Sequence, residues 1–79
     1  MTRAENKARQ ARVAVWVLAH QAAKNAVRHH IRAQGLKLWD FTARDITLRA
    51  ERMLEERPEM YAEARVRAAE LGYATEIAQ

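Results

Sequence analysis

From Glu5 to Ala33 the chain runs for nearly thirty residues without a glycine or a proline. The stretch is rich in Ala, Arg and Gln, which all favour helix. Gly35 stands where a C-terminal cap belongs. The pattern predicts one helix over about 5–34, more than twice the usual length in a globular domain. A helix that long needs packing beyond its own turns. Val13, Val15 and Val17 alternate as a strand would, but Ala14, Trp16 and Leu18 between them leave no polar face. The helix-forming residues on both sides decide for helix.

The second helix is marked by its start. Thr42 can accept the backbone N–H of Asp45, and Asp45 can accept that of Thr42, a capping box with Asp in place of Glu. Phe41 and Ile46 fall at the two positions of a hydrophobic staple. This helix is expected over 43–56, with Ile46, Ala50, Met53 and Leu54 as its apolar stripe. Pro58 ends it and suits the first position of the next, expected over 58–71. Met60, Tyr61, Ala64, Ala68 and Leu71 share one face there, and Gly72 follows the end. Leu36 to Trp39 connects the first two helices. Residues 73–79 form a short tail in which Thr75, Glu76 and Ile77 could add a turn. The expected fold is all-α: a small three-helix domain, with the long N-terminal helix packed on a shorter helical pair that is antiparallel or angled. Glu56-Arg57-Pro58 resembles the turn of a generic helix-turn-helix, a likeness any helical hairpin shares.

Seventy-nine residues make one domain, and 17 of its apolar residues are Ala. The core is therefore modest. There is no Cys, which excludes disulfides and thiol chemistry. Small chains without such staples often gain stability by self-association. No apolar run approaches the length of a membrane span. The run over 13–19 follows several basic residues and so resembles the apolar core of a signal peptide. The helical pattern continues through His20-Gln21-Ala22-Ala23-Lys24, so cytoplasm is the expected location.

At 100° per residue, Val13, Trp16, His20, Ala23, Val27 and Ile31 form one apolar arc, with Val17 at its edge. That arc is the expected core face. A weaker arc of Ala11, Val15, Leu18, Ala19, Ala22 and Ala26 lies roughly opposite and is expected to meet a second copy, making a homodimer. Between them runs a polar strip of Gln21, Lys24, Asn25, Arg28 and Arg32. Lys24, Arg28 and Arg32 are spaced by four, and like charges at that spacing repel by a few tenths of a kcal/mol, about 0.3 per pair. An anionic partner would relieve this. The halves of the chain differ in the same sense: residues 1–39 carry eight Lys and Arg against one acid, and residues 40–79 carry six Arg against nine acids. The acidic half of another copy could also meet the basic strip.

Catalytic patterns are lacking. The chain has no Ser and no Gly-rich loop, and its three His are not spaced as ligands of one metal. No enzyme, metal or cofactor is expected. Two readings of function remain. In the first, a small helical regulator contacts nucleic-acid backbone, preferably duplex, through Gln21, Lys24, Asn25, Arg28 and Arg32. In the second, a protein-interaction module, adaptor or inhibitor binds through Val15, Leu18, Leu36, Leu38 and Trp39, with Trp39 as an aromatic anchor. An acidic protein surface is a further candidate partner of the strip.

Overall fold

The computed structural model describes residues 2–73 and is all-α, as expected. Helix α1 spans Arg3–Ala33, a single 3-10 turn spans Leu38–Asp40, α2 spans Ala43–Glu56 and α3 spans Glu59–Glu70. The tail from Ala74 onward, with its possible turn at Thr75 to Ile77, lies outside the described residues.

Helix α1 starts two residues before the expected Glu5 because Thr2 caps it. The Thr2 hydroxyl accepts the Glu5 N–H at 3.1 Å, and the Glu5 carboxylate accepts the Thr2 N–H at 2.8 Å. Thr42 and Asp45 make the same reciprocal pair at the start of α2, both bonds at 3.0 Å. The end of α1 is equally defined. Gly35 takes φ +80°, its N–H donates to the Arg32 carbonyl at 2.9 Å, and the Leu36 N–H donates to the Ile31 carbonyl at 3.2 Å. This is a Schellman turn, which needs a left-handed residue that glycine supplies without strain. Gly72, at φ +100°, closes α3 with the same pair of bonds.

At 1.5 Å per residue α1 is about 46 Å long, and the longest dimension of the molecule is 48 Å. The long helix sets the size of the molecule. By the same rise α2 and α3 are about 21 and 18 Å long, so end to end they nearly match α1. They are arranged in that way. Helix α1 packs extensively on both, while α2 and α3 scarcely touch. The turn after Gly35 sends α2 back beside Val27 and Ile31, and its later residues Glu51, Leu54 and Glu55 reach His20. Beyond the break at Pro58, α3 continues along α1 until Leu71 and Tyr73 lie beside Val13 and Val17. Among the described residues, α2 and α3 form no side-by-side antiparallel pair.

The core follows from this arrangement. Buried α1 residues Ala11, Ala19, Ala23, Val27 and Ile31 are spaced by four or eight, and half-buried Val15 fills the gap. Helix α2 buries Ile46, Ala50 and Leu54, and α3 buries Ala64 and Ala68, again four apart. Rows of this spacing are the ridges by which helices interlock. Each step of four advances about 40°, so the row on α1 sweeps roughly 200° around the helix. The expected straight face is therefore only half correct. Over His20 to Ile31 it is buried against α2. Towards the N-terminus the row has rotated away, and α3 packs on the supposedly external arc at Ala11, Val15, Leu18 and Ala19. Val13 and Trp16, expected in the core, are 54% and 55% exposed.

Alanine dominates the contacts. Ala19, Ala23, Ala50 and Ala68 have no exposed surface, and among the described residues Ile31 is the only large side chain buried to a comparable degree. Substituting Ala50→Leu adds apolar volume where the helix backbones approach. It is expected to destabilise by about 1–3 kcal/mol in urea unfolding rather than to stabilise. The caps have a pH signature. Thr42, first through its backbone N–H and then through its hydroxyl, holds the Asp45 carboxyl below its usual range, and Thr2 does the same for Glu5. A carboxylate depressed in the folded state stabilises it above the ordinary value and loses that contribution as the pH falls through the lower one. Thermal melts of Asp45→Asn should therefore lose less stability than the parent between neutral pH and the range below about pH 4.

Candidate interaction surfaces on the long helix

Two surfaces of α1 remain uncovered. The first is the basic strip. Gln21, Asn25 and Arg32 are exposed, and Lys24 and Arg28 are half-buried. The Arg28 guanidinium donates to Asn25 Oδ1 at 3.0 Å, which holds it along the helix surface. Among the described residues the one ion pair is Arg67–Glu70 at 3.6 Å, so Lys24, Arg28 and Arg32 meet no carboxylate. Helical spacing also sets Asp45 with Arg49, Arg52 with Glu56 and Glu63 with Arg67 four apart, but none of these pairs closes. The Asp45 carboxylate is used on the Thr42 N–H, the Arg49 guanidinium lies 5.0 Å over the Phe41 ring, and Arg67 turns to Glu70 rather than Glu63.

The second surface is apolar. Val13, Trp16 and Val17 occupy neighbouring turns of α1, and Leu71 and Tyr73 border them from the end of α3. Val13, Val17, Leu18, Leu71, Tyr73 and Arg9 line an open groove of about 640 Å³. Trp16, 55% exposed, extends this apolar surface along α1. The stripe ends at His20. Its Nδ1 lies 2.8 Å from the Trp16 carbonyl, an acceptor only, so that nitrogen carries the proton. The imidazole stacks on Trp16 at 3.9 Å between centroids and meets the edge of Tyr61 at 6.4 Å. Glu51 and Glu55 stand beside it, lining a smaller groove of about 280 Å³ with His20, Leu54 and Tyr61.

The expected protein-binding residues are divided by the fold. Val15, Leu18 and Leu38 pack half-buried against the chain's own core, which uses much of the surface they would show a partner. Leu36 is 48% exposed and Trp39 is 80% exposed, with the Lys37 ammonium 5.4 Å from its ring. They lie at the opposite end of α1 from the stripe and do not join it. The stripe was hidden in the sequence because apolar spacing marks a face that needs cover but not which neighbour covers it. Among the described residues, no three His, Asp or Glu side chains converge as a metal site would require, and no helix is long and apolar enough to cross a membrane.

No protein-family model, curated protein or solved structure matches this chain at a significant level.

Proposed function

We propose that the protein is a non-enzymatic helical interaction module that binds another protein surface through the apolar stripe of α1. The observation that carries this reading is the uncovered run Val13, Trp16 and Val17, continued by Leu71 and Tyr73. Contiguous apolar surface of this extent, rimmed by charge, is characteristic of association sites. Trp and Tyr are also the side chains that most often anchor them.

The basic strip supports a second reading, contact with nucleic-acid backbone. Its ground is that Lys24, Arg28 and Arg32 share one side of α1 and pair with no carboxylate among the described residues. Two variants separate the readings. Val13→Gln with Val17→Gln alters only exposed positions of the stripe, so helicity by circular dichroism should be kept. Affinity capture from the native lysate should lose the protein retained by the parent chain. Lys24→Gln, Arg28→Gln and Arg32→Gln together should leave that capture intact. Binding to fluorescent random-sequence duplex at about 50 mM salt that weakens steeply by about 200 mM, and that the triple substitution abolishes, would favour the nucleic-acid reading. If the stripe variant also retained every captured protein, the interaction reading would fail.

A further inference from the structure

We propose that the occupant of the stripe is a second copy of this chain, paired with its α1 antiparallel about a two-fold axis near residues 14–15. The inference rests on the interaction reading above and names its partner.

Area is the first argument. Each copy leaves Val13, Trp16, Val17, Leu71 and Tyr73 at least a third exposed, so a symmetric pair would cover two such sets of large apolar side chains. Shape is the second. In a two-fold interface, if residue i meets residue j, then j meets i. With the axis between positions 14 and 15, Val13 of each copy faces Trp16 of the other. Two flat rings and two small β-branched side chains thus alternate across the seam instead of colliding ring on ring.

Charge is the third argument and fixes the direction. The N-terminal end of the stripe is basic: Arg9 lines the groove beside Val13, and exposed Arg12 follows one turn later. The other end is acidic, with exposed Glu51 and Glu55 next to His20. Within one chain these charges do not meet, since the one ion pair among the described residues lies on α3. Antiparallel pairing brings Arg9 of one copy level with His20 of the other, where the two glutamates stand. This occurs twice by symmetry. A parallel pair would set Arg9 against Arg9 and the glutamates against each other, which disfavours it.

Sedimentation equilibrium of the purified full chain, from about 1 to 300 μM, tests the proposal. The parent should be dimeric, and Val13→Gln with Val17→Gln should be monomeric with its helicity kept. Arg9→Glu should weaken dimerisation about tenfold, a loss of about 1.4 kcal/mol, and so should Glu51→Arg with Glu55→Arg. Combining all three charge reversals should restore dimerisation, which a merely structural effect would not do. A dimer unmoved by the stripe variant would show that another face pairs, and failure of the combined reversal to restore it would reject the antiparallel arrangement. A parent monomeric throughout the range refutes the second copy. In that case, stripe-dependent capture of a different protein leaves the interaction reading standing, and absence of such capture removes both.

Discussion

Close approach between helix backbones, made possible by Ala19, Ala23, Ala50 and Ala68, is the interaction on which the rest depends. Each of these alanines is fully enclosed, and each lies on a row spaced by four. Small side chains in such rows let neighbouring ridges interlock at short range. The chain has few large apolar residues to spend on a core, and it makes contact area through proximity instead of bulk. Large apolar groups are consequently left outside: Trp16, Trp39, Val13 and Val66 all stand more than half exposed. The same geometry that makes a small core sufficient creates the surfaces available for association.

Much of the fold could be read from local chemistry. The absence of Gly and Pro before Ala33, the Thr42–Asp45 box, Pro58 and the two capping glycines place the helices to within two residues. The T-x-x-E pattern at Thr2 and Glu5 carries the same information about the first turn. The relation of α2 to α3 was not legible in this way. A hairpin and an end-to-end arrangement demand the same apolar spacing on each short helix and differ only in which side of α1 is covered at each level. The candidate surfaces inherit that ambiguity. Lys24, Arg28 and Arg32 share a side because helical spacing alone dictates it. Whether Val13 or Val15 faces water depends on where α3 lands, and no local signal states that.

Charge and apolar surface are arranged on α1 in a related way. The basic strip runs beside the stripe rather than opposite it, about a quarter-turn away by helical geometry. In the antiparallel pair proposed above, the two-fold axis stands perpendicular to both long helices. Such an axis leaves the strips of the two copies on the same side. Association and a broad basic surface are then compatible properties of one assembly, and the nucleic-acid reading does not compete with pairing for the same residues.

Because α2 and α3 lean on α1 but scarcely on each other, cooperativity along the molecule must pass through the long helix. The two attachments are unequal. Helix α2 buries Ile46 and Leu54 at the interface, whereas α3 buries Ala64 and Ala68, with Met60 and Tyr61 half-buried beside them. The side chains that α3 buries are the smaller ones, so α3 is the part expected to open as a separate unit while α1 and α2 stay folded. Amide protons of α3 should accordingly exchange by a subglobal route, and those around Val27, Ile31 and Ile46 should report the stability of the whole domain.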